Sequence, residues 1–391
     1  LPLENDEKVK LLQKLIQINT VNGNEEDEAN YIKRVLEAHH ISCKLVSFAP
    51  NRTNLIAEIG NDKGPVLALA GHLDTVDPSD SQKWTYPPFA GQLADGKIYG
   101  RGAVDMKSGL AAMVGALIEF QEADLPKHGK VRLIATVDEE VGGKGSLELT
   151  DQGYVHDVDA MIIGEATTGQ IEYAHCGSFD YIVESHGKLA HSSQPELGAN
   201  AVMNLVKFIN KESRAFDDAA VSPTLGKLIH SVTVFHGGDQ LNSIPDFAYL
   251  KGNVRTIPEC DNVETQKRLQ DIIDGLNKEP KIQLKLKVVA SFMPVVTNKQ
   301  DRFIALAQTA IKKVSGRQPD VVISHGATDA SRYVLDNHNF PIIEYGPGIE
   351  KLSHQIDERI ALDDYLTAQQ AYVEIAKQYL NNTKDDEQAS S

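Results

Sequence analysis

The chain is poor in the features that secreted, membrane-spanning and nucleic-acid-binding proteins depend on. Its 391 residues include three cysteines, Cys43, Cys176 and Cys260. They are odd in number and too widely spaced for a disulfide framework or a C-x-x-C metal knuckle, so reduced thiols are expected. Basic residues are in the minority, 39 against 55 acidic, for a formal charge of -16. With no local basic patch, that balance argues against nucleic acid and anionic membranes as partners. No apolar run approaches the length of a membrane span, and the opening Leu1-Pro2-Leu3-Glu4-Asn5-Asp6-Glu7 lacks the basic and apolar regions of a signal peptide. The expected compartment is the cytoplasm.

What is present suffices for a core. Apolar residues make up 41% and charged residues 24% of the chain, the balance of a globular protein. The length exceeds what one core usually serves, so two domains are expected. Val9, Leu12, Leu15 and Ile16 recur at helical spacing, as do Ile32, Val35 and Leu36 after the acidic start Glu25-Glu26-Asp27-Glu28. Residues 54–60, 65–71, 131–137 and 160–163 read as strands, the second apolar on both faces as a central strand must be. Leu110, Met113, Val114, Leu117 and Ile118 mark a helix, and residues 78–100 form a long turn-rich loop.

From residue 178 the order changes to strand 180–185, helix 199–209, strands 231–236 and 248–255, helix 263–276 and strand 282–290. That is the β-α-β-β-α-β order of a ferredoxin-like unit. The first pattern then returns with helix 301–314, strands 321–324 and 341–345, and a closing helix 363–379, ahead of a polar tail 381–391 expected to be disordered. The expected architecture is an α/β domain over 1–177 and 292–391, interrupted by an α+β domain over 178–291.

Chemistry-bearing residues gather where strands end. Gly71-His72-Leu73-Asp74-Thr75, Val137-Asp138-Glu139-Glu140 and Ile163-Gly164-Glu165 each follow an apolar strand, and Asp105 lies in the turn before a helix. In open α/β sheets ligands bind beyond the carboxyl ends of the strands. Each residue alone has an ordinary reading. An acid two residues after a histidine is expected roughly twice by chance in this composition, Asp105 could be a helix N-cap, and Glu139-Glu140 could be a solvated pair. Jointly they fit a metal pair sharing a carboxylate, which needs roughly three protein ligands per ion drawn from His nitrogen and carboxylate oxygen. His72, Asp105, Glu140, Glu165 and the later His354 supply that number. Asp74 could accept from the second ring nitrogen of His72, leaving Glu139 as an unligated base.

These residues carry a resemblance. Gly71 to Val76, Tyr99 to Lys107, Asp138 to Gly142, and Gly346-Pro347-Gly348 with Ser353-His354 together resemble the acetylornithine deacetylase / succinyl-diaminopimelate desuccinylase family of zinc peptidases and aminoacylases. The resemblance implies a zinc-peptidase mixed-sheet catalytic domain with an inserted ferredoxin-like lid that dimerises. It implies two divalent metals, zinc first and cobalt or manganese as alternatives, with Asp105 bridging, His72 and Glu165 on one ion, and Glu140 and His354 on the other. Glu139 matches the general acid/base and Asp74 the carboxylate behind His72.

His191, in Gly187-Lys188-Leu189-Ala190-His191-Ser192-Ser193, resembles a lid histidine that stabilises the oxyanion, in its own or a neighbouring subunit; a surface-loop histidine is the ordinary alternative. Asn242 and Arg255 resemble lid residues that hold the substrate carboxylate, although Arg255 could equally serve a structural salt bridge. Gly326 and Thr328 fall in a substrate-contacting loop, where Gly326-Ala327-Thr328-Asp329-Ala330 departs from the family's Gly-Gly-Thr-Ser-Asp. The implied substrate is an N-acyl amino acid: N-succinyl-diaminopimelate first, then acetylornithine, then a dipeptide or another N-acyl amino acid. A non-catalytic amino-acid-binding homologue would be expected to lack the base or a ligand, and phosphoester hydrolysis would want cations beyond Arg101.

Overall fold

A computed structural model describes residues 1–324, 326–336 and 338–389, with side chains described as far as residue 381. The chain forms two compact units, Leu1–Tyr173 with Thr297–Ile323 and Thr328–Ser391, and Ala174–Val296 with Ser324–Ala327. Their seams lie a few residues from the expected ones, and the short Ser324–Ala327 segment groups with the second unit.

The first unit is built on a mixed sheet. From one edge its strands run Cys43–Ala49, Arg52–Gly60, Lys130–Thr136, Val66–His72, Ala160–Ile163, Ile342–Glu344 and Ile171–His175. Every residue of Val66–His72 is buried, as its two-sided apolar sequence requires. It pairs in parallel with Lys130–Thr136 (His72 opposite Thr136) and with Ala160–Ile163 (Ala70 opposite Ile163). Glu344 lies opposite Ile163 in a further parallel pair. Four parallel strands thus end at one level, and the residues just beyond each strand are delivered to one rim.

Helix Lys107–Glu122 packs against Val66–His72 and against helices Asn5–Gln17 and Leu362–Ala389. It is buried nearly all round, which explains why its apolar set is broader than a single stripe. Its start is fixed by Lys107, whose Nζ donates to the carbonyls of Leu15 and Ile18 at 2.8 Å and pairs with the buried Glu28 carboxylate at 2.6 Å.

Two expectations need correction. The 78–100 connection holds strands Gln92–Ala94 and Lys97–Tyr99, which join Arg359–Ala361 in a three-stranded sheet. Three-residue strands are too short to show an alternating pattern. The closing helix runs Leu362–Ala389, well past the expected end; of the tail expected to be disordered, residues 390–391 lie outside those described.

The second unit has the strand order Ile229–Gly237, Phe247–Arg255, Ser178–His186, Leu284–Phe292, all antiparallel. Helices Ala201–Glu212 and Asn262–Leu276 lie between them in sequence, and the order is that of a ferredoxin-like sheet. Phe179, Tyr181, Val183, Leu205, Phe208, Leu250 and Leu269 form its core. Among the described residues, no helix is long and apolar enough to cross a membrane.

Leu69 is fully buried at the centre of the first sheet. Leu69→Ala is expected to remove about 2–5 kcal/mol of stability. Urea unfolding of the two proteins, followed by circular dichroism, measures the difference.

Candidate metal centre

The rim where the parallel strands end brings the five expected ligands together. His72 Nε2 lies 3.0 Å from Asp105 Oδ1 and 3.3 Å from Glu165 Oε1. His354 Nε2 lies 3.1 Å from Asp105 Oδ2 and 3.1 Å from Glu140 Oε1. Asp105 thus turns one oxygen towards each histidine. His72, Asp105 and Glu140 each offer a ligand atom within 4.8 Å of the others. Asp105 is not the cap of the following helix: Met106 holds that position, and the carboxylate faces the imidazoles.

The donor set fits a pair of divalent ions. Two imidazole nitrogens and three carboxylates form two clusters joined by one carboxylate, a composition suited to zinc and its neighbours. Electrostatics agrees. Burial would push Asp105 up, but hydrogen bonds from His354 and His72 outweigh it and hold the carboxyl well below its usual value. Burial, reinforced by Asp105, pushes Glu165 up to about 7. His354, bonded to Asp105 and Glu140, is raised to about 10. His72 is raised despite burial, chiefly by Glu165. So much negative charge in one recess calls for cations.

Asp74 does its work differently from the expectation. Its backbone carbonyl, at 2.8 Å, is the partner of His72 Nδ1, while its carboxylate stands 3.7 Å away. The carboxylate instead accepts the backbone N–H groups of Glu139 and Glu140, each at 3.1 Å. Asp74 therefore aims the acid pair and fixes the His72 ring through two different atoms. The Glu139 carboxylate has no hydrogen-bond partner among the described residues, and burial raises its proton affinity well above the ordinary range. Those are the properties of a general base.

Two glycines bring the Glu165 peptide into place. A Cβ on Gly109, in the buried helix, would sit 2.0 Å from the Gly164 carbonyl oxygen, and one on Gly346 would sit 2.2 Å from the same atom. Both positions exclude any side chain. This accounts for Gly346 in the Gly346-Pro347-Gly348 motif.

Sequence reasoning missed the pair behind these ligands. The Glu358 carboxylate accepts the N–H of Val104 at 2.7 Å and of Asp105 at 3.0 Å, and also takes Arg101 Nη1. Arg101 donates in addition to the His354 carbonyl at 3.3 Å and lies over the Trp84 ring. One buried ion pair thus positions the peptides of both Asp105 and His354. The available signal was local: Arg101 sits between two glycines just before Asp105, and Glu358 comes four residues after His354.

The remaining sequence candidates are less concentrated. In the first unit Thr328 is buried, and its hydroxyl donates to Glu344 Oε1 at 3.0 Å, so its side chain is engaged within the fold. Gly326, in the segment that groups with the second unit, is exposed with open space around it. The preceding His325 lies outside the described residues. In the second unit His191 and Asn242 are neighbours: His191 pairs with Ser243, and the Ser192 N–H donates to the Asn242 carbonyl at 2.9 Å. The His191 ring is exposed and bonds Ser193. Arg255 ends the strand Phe247–Arg255, whose nine residues span eight steps of about 3.3 Å, or about 26 Å. Arg255 is exposed and forms no ion pair among the described residues.

Comparison with known proteins bears on this geometry. The sequence profile of peptidase family M20/M25/M40 matches residues 68–378. The chain belongs to that family. A Staphylococcus aureus (strain N315) protein named "Probable succinyl-diaminopimelate desuccinylase" is 37% identical over 405 aligned positions, covering 96% of this chain and 98% of that protein. Among solved structures, an M20 family metallo-carboxypeptidase from Sulfolobus solfataricus superposes with a TM-score of 0.79 at 19% identity, covering 96% of this chain and 99% of the other. The Bacillus subtilis YXEP protein, described as a dinuclear metal binding peptidase from the M20 family, gives 0.70 at 20% identity, covering 96% and 98%. At those identities the structural likeness speaks for the fold.

Glu358→Gln is expected to leave Arg101 buried without its counter-charge, costing about 3–5 kcal/mol of stability. It is also expected to weaken metal binding roughly 10–100-fold. The double variant Arg101→Met/Glu358→Leu removes the unpaired charge but still leaves the Val104 and Asp105 N–H groups without their acceptor, so it should recover only part of the stability and none of the metal affinity. Urea unfolding and calorimetric zinc titration separate the two effects.

Proposed function

We propose that the chain is a two-metal amidohydrolase that cleaves the amide of N-succinyl-diaminopimelate to succinate and diaminopimelate. The observation that carries the reaction class is the Asp105 carboxylate divided between His72 and His354, with the unbonded carboxylate of Glu139 beside it. The near-full-length likeness to a relative bearing the desuccinylase name supports the substrate.

In this reading His72, Asp105 and Glu165 hold one ion, and Asp105, Glu140 and His354 hold the other. Zinc is first among the metals by its liking for mixed nitrogen and oxygen donors, with cobalt or manganese as substitutes. When bound, the ions polarise the amide carbonyl and lower the pKa of water towards ~7. Glu139 removes a proton as the water oxygen bonds to the carbonyl carbon. It then returns that proton to the amine nitrogen as the C–N bond breaks, leaving a free amine and a carboxylic acid, which gives up its remaining proton to the amine or to solvent and becomes the carboxylate. Asp74 keeps Glu139 and Glu140 in distinct roles by holding both their N–H groups.

The second unit contributes His191 to oxyanion stabilisation, and Asn242 and Arg255 to holding a substrate carboxylate. The strand that separates Phe247 from Arg255 is longer than an amino-acid substrate, which supports Arg255 serving a different copy of the chain from the residues at the strand's start. A homodimer through this unit is part of the proposal, supported by the exposed apolar residues Ile229 and Phe235 on its edge strand. Cytoplasmic placement is supported by the three free thiols.

Glu139→Gln should retain two metals per chain, read by atomic absorption, while turnover falls by roughly 10²–10⁴-fold; retained activity would remove Glu139 from the base role. Treatment with a chelator should abolish turnover, and zinc or cobalt should restore it. A panel of succinylated, acetylated and dipeptide substrates tests the acyl group, and preference for acetylornithine or a dipeptide would replace the desuccinylase assignment.

A further inference from the structure

The turn that carries Glu139 and Glu140 is bracketed by hydroxyl groups. Thr136 ends the strand Lys130–Thr136, and Ser146 lies in the first turn of helix Lys144–Asp151. Both hydroxyls donate to a single buried carboxylate, that of Asp329. Thr136 Oγ1 reaches Oδ2 at 2.5 Å, and Ser146 Oγ reaches Oδ1. One carboxylate thus closes the loop 137–145 by binding its two ends, using one oxygen for each.

A second contact comes from the same segment. Arg332 Nη2 donates to the carbonyl of Gly142, in the middle of the turn, at 2.6 Å. From the other side, Asp74 holds the N–H groups of Glu139 and Glu140. The turn needs such external support. Asp138 has a left-handed backbone conformation with φ of 71°, and Gly142, Gly143 and Gly145 follow within seven residues. A glycine-rich segment left to itself samples many conformations, yet here it presents Glu140 towards His354.

We infer that Asp329 is a positioning residue for the general base: it staples the two ends of the turn and, with Arg332, makes the turn and the segment after Thr328 one rigid piece. This rests on the reading of Glu139 as the base. Its consequence is a division of labour. Asp74 orients the two acids about the His72 side of the site, and Asp329 fixes where the turn as a whole sits. Because the Asp329 carboxylate is buried and both its oxygens are taken by Thr136 and Ser146, its loss should leave substrate binding largely intact and slow the chemical step. A misplacement of about 1 Å at a reacting group can lower rate on the order of 100-fold.

The test uses the metal-loaded full chain with Asp329→Ala, Asp329→Asn, Thr136→Val, Thr136→Ser and Ser146→Ala. Asp329→Ala should lower kcat by roughly 10–100-fold while KM stays within about twofold and two metals remain bound. Deuterium exchange should quicken at the amides of 137–145 and stay unchanged along Val66–His72. Asn, which keeps an acceptor, should recover part of the turnover; Thr136→Ser should recover most of what Thr136→Val loses. If Asp329→Ala does not fold, Thr136→Val and Ser146→Ala each remove one arm of the staple and carry the test. Unchanged exchange in 137–145, a loss confined to KM, or Ser behaving no better than Val at 136 would overturn the inference. Exchange is read without substrate, so failure of the amidohydrolase reading would appear separately, as a wild-type protein that cleaves none of the amides.

Discussion

Asp105 shares its two oxygens between His72 and His354, at 3.0 and 3.1 Å, and most of the surrounding architecture can be understood as holding that arrangement still. A carboxylate can link two clusters only if its own backbone is fixed, because the side chain has few bonds over which to correct an error. The Asp105 N–H is therefore taken by the buried Glu358 carboxylate, whose charge is balanced by Arg101. Arg101 in turn holds the carbonyl of His354. Displacement of either histidine would be felt at the other through this pair.

The same need explains the placement of the ligands on a rim of buried parallel strands. His72 is the last residue of a strand with no exposed position, and Glu165 comes just after a strand that is likewise fully buried. Backbone hydrogen bonds on both sides make such strands poor at moving. The close approaches at Gly109 and Gly346 add a steric lock on the Glu165 peptide. Rigid strand ends supply precision that free loops do not, and the one loop that must carry two acids, 137–145, is held from both sides by Asp74 and Asp329.

Much of this was legible in the sequence because it is local. Two-sided apolar strands, helical periodicity from Leu110 to Ile118, and acids at strand ends are each written within a few residues of one another, and the candidate ligands were read from their order together with the family resemblance. The supporting pairs were not legible. Glu358 and Arg101 are 257 positions apart, and Lys107 with Glu28 joins segments with no shared period. A lone charged residue in a window of sequence carries no sign of a buried partner elsewhere. Asp74 failed in another way: the residue was identified, but its carboxylate and its carbonyl exchange the roles that side-chain chemistry alone would assign. Thr328 turns its hydroxyl inward to Glu344 for a comparable reason, since a buried acid attracts the nearest donor.

The charge balance of the site ties these points together. Around the two imidazoles stand Asp105, Glu139, Glu140 and Glu165, and the histidines respond by holding protons tightly, His354 up to about 10 and His72 well above its ordinary value. A proton on Nε2 of either ring occupies the direction a metal ligand must keep free. Metal ions and protons therefore compete for the same lone pairs, and binding an ion must release protons. The acids tilt that competition towards the ion, because a divalent cation satisfies several carboxylates at once where a proton satisfies one. Glu139 stands apart: with no ring nitrogen to serve, its raised proton affinity remains available for transfer. In the proposed reaction, an acid pair that looks redundant in sequence would thereby be split by geometry into one carboxylate that binds charge and one that carries a proton.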